Sequence, residues 1–272
     1  MWLENNGRKG VIWRELWKMI ERDENGVLHI VAVSGGKDST ALALALIERE
    51  PRPYTFVCTP TGDELPEMFD HWRWLGSDNA LGKPILPVMA HTGLNGLIDE
   101  QNALPNNRMR WCTRILKIEP YHKWLRGHLE EGPVVSYVGL RADEPERAGA
   151  ALEHPDIATR YPMREWGWSI DDVWQFLEAR GVTVPERTDC ARCYHQRLGE
   201  WWRLWREYPE IYADAEAQEA KHGHTFRNPQ RDTWPAELVK MRERFEAGEI
   251  PPRTKLQIDL FRNIGECRVC TL

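Results

Sequence analysis

The sequence predicts an α/β fold, a parallel sheet with helices on both faces, followed by a helical C-terminal appendage. Two observations predict it. Short, mostly apolar runs (28–33, 54–58, 85–89 and 134–138) alternate with stretches of helical periodicity, the pattern of strands buried between crossover helices. From Arg197 onward the pattern is helical and charged, with Pro209, Pro229, Pro235 and Pro251-Pro252 as punctuation. At about 150 residues per domain, a chain of 272 residues holds one large domain with an appendage. Residues 1–165 are expected to form the α/β domain, and 166–272 the helical, cysteine-containing region.

The elements follow in order. Ile12, Leu16, Met19 and Ile20 share one face of a helix expected over 11–22. The run 28–33 reads as a buried strand that ends in a Gly-Gly turn, and a helix over 39–49 follows. Further on, Ser169 with Asp172 three residues later marks the start of a helix over 169–179, which Gly181 ends.

Composition excludes several classes. The longest apolar run, Ala41 to Ile47, is seven residues, against about 20 for a membrane helix, so no membrane partner is expected. The first residues lack the pattern of a secretion signal, and a cytoplasmic location is expected. Lys plus Arg number 36 and Asp plus Glu 42, a net charge of −6. That argues against wholesale coating of nucleic acid and leaves room for a local basic groove. The 14 tryptophans and six cysteines stand out. Four cysteines form two C-x-x-C pairs, which in a reducing compartment points to metal binding or catalysis rather than disulfides.

The first strand leads into Ser34-Gly35-Gly36-Lys37-Asp38-Ser39-Thr40 and then a helix. Two glycines permit a tight turn in which amide N–H groups and the helix N-terminus converge on an anion. The Ser34 and Ser39 hydroxyls and the Lys37 ammonium complete a cradle for phosphates. Asp38 is placed to orient the loop or approach a metal. The segment is neither G-x-x-x-x-G-K-[ST] nor G-x-G-x-x-G.

This Ser-Gly-Gly-Lys-Asp-Ser loop resembles the pyrophosphate loop of the adenine nucleotide alpha-hydrolase-like superfamily, and the chain as a whole is similar to the phosphoadenosine phosphosulfate reductase family. The likeness continues through Thr61-Gly62 with Pro66-Glu67, and through Trp111-Cys112-Thr113-Arg114 with Lys117 and Pro120. It extends to Gly139-Leu140-Arg141-Ala142-Asp143-Glu144 with Arg147, and to Pro162, Trp168 and Asp172-Val173-Trp174. The resemblance implies a Rossmann-like nucleotide-binding domain in which Thr61, Gly62 and Arg141 join the loop, Arg141 meeting a phosphate or sulfate. Sulfonucleotide reductases of the family usually carry a degraded loop, whereas relatives that hydrolyse ATP keep it intact, as here. The implied nucleotide is ATP, with Mg²⁺, cleaved to AMP and pyrophosphate to activate a substrate for sulfur transfer. Lys37, Asp38 and Arg141 are the expected catalytic residues. A sulfur donor or thiol reductant protein and a nucleic-acid substrate are partners consistent with this reading.

The cysteines admit more than one assignment. In iron–sulfur reductases of the family a Cys-Cys doublet precedes a C-x-x-C by about the separation of Cys112 from Cys190. A 4Fe-4S cluster would then use Cys112, Cys190 and Cys193 with Cys270 as fourth ligand. Glu266-Cys267 resembles the start of the reductases' C-terminal motif, which would make Cys267 a nucleophile in sulfite-releasing reduction of an adenylyl sulfate. A structural Zn²⁺ site from Cys190, Cys193, Cys267 and Cys270 explains the same residues, and would suit a non-catalytic nucleotide-binding subunit. Cys58 reads as a core residue, Trp201 and Trp205 as a packed helix face, and His222 and His224 as exposed.

Overall fold

Strands β1 (Leu28–Ala32) and β2 (Tyr54–Cys58) are buried at every position, as parallel strands covered on both faces must be. The computed structural model describes residues 20–106, 108–149 and 152–252. The helix expected over 11–22 therefore lies almost wholly outside the described residues, as do Cys267 and Cys270.

With β3 (Ile85–Pro87), β4 (Val134–Tyr137) and β5 (Ile157–Arg160) these strands make a five-stranded sheet of order β3-β2-β1-β4-β5. Every pairing is parallel. The fifth strand is not among the apolar runs of the sequence. It is an edge strand in which Ile157 alone is buried, so it carries little hydrophobic signal. The chain goes outward from β1 through β2 to β3, then returns to place β4 on the other side of β1. The order thus reverses between β1 and β4, the place where open α/β sheets bind ligands beyond their carboxyl ends.

One face of the sheet is covered by α1 (Lys37–Arg49), whose Ala41, Leu42, Ala43, Ala45 and Leu46 are fully buried. The same core receives Leu75 from α2 (Pro66–Leu75) and, after the short helix α6 (Pro162–Glu165), Val173, Phe176 and Leu177 from α7 (Ile170–Glu178). Ser169 caps α7 in a reciprocal box with Asp172. Tyr121 and Leu125 of α5 (Glu119–Gly127) cover the opposite face.

A second core joins α3 (Leu94–Gln101) to the C-terminal helices α8 (Leu198–Glu207), α9 (Pro209–His222) and α10 (Leu238–Glu246). Trp201 is fully buried there, its ring 6.0 Å from Phe226, and Trp205 packs 5.5 Å from Phe245. The tryptophan pair is a packing face, as its helical spacing suggests. His222 is not exposed as expected: its side chain is 1% accessible, 3.7 Å from Asp99. No helix among the described residues is long and apolar enough to cross a membrane.

Candidate nucleotide and thiol site

The loop after β1 is held open by its own hydroxyls. Ser34 Oγ and Ser39 Oγ are 3.0 Å apart, the Gly35 N–H donates to Ser39 Oγ at 3.1 Å, and Ser39 Oγ donates to the Gly36 carbonyl at 3.1 Å. Gly35 has φ +84°, a conformation open chiefly to glycine. A Cβ there would stand 2.6 Å from Met68 Cε and 2.8 Å from Trp72 Nε1, so α2 closes directly over the turn. No side chain caps α1, whose first N–H groups face the switch point as donors for an anion.

The charged residues depart from the expected cradle. The Lys37 side chain is fully buried, with Nζ 3.4 Å from Asp38 Oδ2. Asp38 takes Arg141 Nη1 on both carboxylate oxygens, at 2.9 and 3.0 Å. Arg141 also donates Nε to Asp143 at 2.9 Å, and its Nη2 lies 3.1 Å from Glu144. Burial disfavours its charge, but the carboxylates prevail and raise its pKa. The fork expected to meet a phosphate thus rests on three acidic side chains. In this arrangement Arg141 neutralises Asp38 beside Lys37. The loop after β4 reaches this position because Gly139 leaves only backbone: a Cβ there would lie 3.3 Å from the Asp38 carbonyl carbon.

The loop between β2 and α2 is the common wall of two hollows. Gly62 and Glu64 line a cleft of about 170 Å³ with Phe69, Trp72, Pro87 and Met89, mostly apolar in character. Thr61, on the same loop, lines a narrower pocket with Cys112, Lys117, Cys190, Cys193 and Tyr194. The Glu64 carboxylate accepts the Thr61 N–H at 2.7 Å, the Thr61 hydroxyl at 2.6 Å and the Gly62 N–H at 3.0 Å, which fixes the loop.

Cys112 enters the narrow pocket from α4 (Trp111–Thr113), which runs into a π-helical turn (Arg114–Ile118) before α5. Pro120 has no N–H to donate, so the regular ladder cannot continue through it, and the widened turn precedes it. Lys117, in that turn, is buried against the thiols. Cys190 and Cys193 form a tight turn in which the Cys193 N–H donates to the Cys190 carbonyl at 3.2 Å. Cys190 Sγ is 3.2 Å from Thr61 Oγ1. Burial raises the pKa values of Cys112, Cys190 and Cys193, with Lys117 opposing it at the first two. Cys58 is buried in β2 and lines the apolar cleft, so its reading as a core residue holds.

Three of the four sequence-predicted metal ligands therefore share one pocket. Thiols suit iron–sulfur or zinc chemistry in kind. Among the described residues, however, no group of three or more His, Cys, Asp or Glu side chains is assembled to hold a metal. Sequence reasoning also missed Asp63 and Arg192. Asp63 follows Thr61-Gly62 and Arg192 lies inside the C-x-x-C, so each sits in a recognised motif. Their pairing spans 129 positions, which no local pattern reveals.

The family model for the phosphoadenosine phosphosulfate reductase domain matches residues 29–190. An uncharacterized protein of Methanocaldococcus jannaschii is 24% identical over 194 residues, 67% of this chain and 39% of that protein. The chain thus spans about two-fifths of that relative's length. A phosphoadenylyl-sulfate (PAPS) reductase from Candida auris, solved as a phosphate complex, aligns with TM-score 0.43 and 14% identity over 57% of this chain and 74% of its own. The U34-tRNA thiolase NcsA from Methanococcus maripaludis, solved with its [4Fe-4S] cluster, aligns with TM-score 0.43 and 16% identity over 83% and 84%.

Proposed function

Because the chain belongs to the phosphoadenosine phosphosulfate reductase domain family, we propose that it binds ATP at the Ser34–Ser39 loop and adenylates a substrate for sulfur transfer. The observation that carries this reading is the shared wall: the loop Thr61–Glu64 borders both the apolar cleft, whose Trp72 stands against Gly35, and the pocket of Cys112, Cys190 and Cys193. An adenine ring suits the apolar cleft between Phe69, Trp72 and Met89, and the triphosphate would then extend towards the first N–H groups of α1.

In this reading a nucleophile on the substrate attacks the α-phosphorus, the bond to the β-phosphate oxygen breaks, and pyrophosphate leaves with the electron pair. A sulfide-level sulfur from the donor then attacks the activated carbon, the carbon–oxygen bond breaks, and AMP leaves with that oxygen and the electron pair. The first N–H groups of α1 and Lys37 stabilise charge on the departing pyrophosphate, and Arg141 keeps Asp38 from cancelling Lys37. Asp38 has both oxygens on Arg141, so no step is assigned to Mg²⁺. The thiols lie across Thr61 from the apolar cleft, and in this reading a sulfur donor or a cluster would act there. For the cluster the proposed ligands are Cys112, Cys190, Cys193 and Cys270.

Incubation with ATP and candidate acceptors, including tRNA and DNA, tests the reading through pyrophosphate release. Sulfite release from an adenylyl sulfate with a thiol reductant, lost in Cys267→Ser, would replace it with sulfonucleotide reduction. ATP binding without either product would favour a nucleotide-binding subunit.

A further inference from the structure

Resting on the nucleotide reading above, we propose that Asp63 and Arg192 are positioning residues that hold the Cys190 and Cys193 thiols in register with the nucleotide edge of the sheet. The two side chains are 4% and 5% accessible. Asp63 accepts Arg192 Nε at 2.8 Å, Arg192 Nη2, and the Arg192 backbone N–H at 2.9 Å. Its own carbonyl accepts the Ala191 N–H at 2.6 Å. Both residues between the two cysteines therefore bond to Asp63, two positions from Thr61, whose hydroxyl touches the Cys190 sulfur.

The other end of Arg192 donates Nη1 to Asp214 on α9, a carboxylate that is 47% accessible. Arg192 thus spans three elements: the β2–α2 loop, the thiol turn and the helical appendage. A buried ion pair adds little net stability, because desolvation offsets the attraction. What it does impose is geometry, since a planar guanidinium fixes its acceptors where a lysine would not. A change at the nucleotide edge would pass to the thiols through this pair.

The test is alkylation by iodoacetamide of the protein stripped of metal with a chelator and kept reduced under anaerobic conditions, mapped to each cysteine with and without ATP. In the unaltered protein Cys190 and Cys193 react slowly and ATP slows them at least threefold further. Asp63→Asn and Arg192→Lys should speed both thiols at least tenfold and abolish the ATP effect, while ATP binding by calorimetry persists and Cys58 in β2 keeps its rate. Asp214→Asn, which leaves the Asp63 link intact, should stay within twofold of the unaltered protein. Parallel acceleration of Cys58 would mean general loosening and would overturn the proposal. So would unchanged rates in Asp63→Asn, or an Asp214→Asn as reactive as Asp63→Asn. Selective release of the two thiols in a protein that never binds ATP would retain the clamp and remove the nucleotide reading.

Discussion

Asp38 and Arg141, 103 positions apart, meet at 2.9 Å across the switch point between β1 and β4. The pair ties the first turn of α1 to the loop after β4. Arg141 is 6% accessible and Asp38 14%, so removing the guanidinium strands a carboxylate with little water. Arg141→Ala is expected to destabilise the fold by about 3 kcal/mol, read by urea denaturation. ATP affinity should also fall about tenfold, roughly 1.4 kcal/mol, because Asp38 is then left to neutralise Lys37. Arg141→Lys should fall between the two, since an ammonium cannot serve Asp38, Asp143 and Glu144 together. Equal ATP affinity in Arg141→Ala would remove this residue from the site.

The two loop glycines should respond differently. Gly35 has φ +84° and no room for a Cβ beside Trp72, so Gly35→Ala is expected to lose about 2 kcal/mol of stability and most nucleotide binding. Gly36 has φ −74° and ψ 166°, an extended conformation open to any residue. Gly36→Ala meets no backbone strain and should cost less stability than Gly35→Ala. Equal losses in thermal denaturation would contradict this account of the turn.

How far the sequence carries follows from which signals are local. Strands β1, β2, β3 and β4 are apolar runs, and the phosphate loop is contiguous, so both are legible. Ile157–Arg160 has a single buried position, and its strand character comes from pairing with β4, a tertiary fact. Arg141 stands out through its motif, but the three acidic side chains that engage its guanidinium do not, because one of them, Asp38, is distant in sequence. The shared pocket of Cys112, Cys190 and Cys193 is foreshadowed only through the family resemblance. The Asp63–Arg192 pair that seats the latter two is not.

Metal content decides between the cysteine assignments. Anaerobic purification should give a coloured protein with iron and acid-labile sulfide, about four of each per chain for a 4Fe-4S cluster. Cys112→Ala, Cys190→Ala and Cys193→Ala should each lose it. Cys270→Ala should lose it as well and Cys267→Ala should not. A colourless protein with one zinc and no sulfide, indifferent to Cys112→Ala, would instead establish a zinc site of the two C-x-x-C pairs.

Two buried groups give the fold opposing responses to pH. His71, hydrogen-bonded to Thr40 Oγ1 at 3.0 Å, is held neutral by burial, its pKa drawn from 6.5 down to about 4. The unfolded chain then binds the proton first, so this contribution is present above pH 6.5 and lost as the pH falls towards 4. Glu219, which accepts the Phe226 and Leu238 N–H groups, is pushed by burial from 4.5 up to about 7. Here the native state keeps the proton longer, so the contribution is full below 4.5 and lost as the pH rises through 7. Each shift corresponds to at most about 3 kcal/mol, and between pH 4.5 and 6.5 the two slopes oppose. His71→Gln should leave a protein whose stability declines as pH rises across that window, relative to the unaltered chain. Glu219→Gln should leave one whose stability climbs. Urea midpoints at pH 4.5, 5.5 and 6.5, read from a single cooperative transition, distinguish the two. Parallel curves for all three proteins would show that neither group titrates differently on folding.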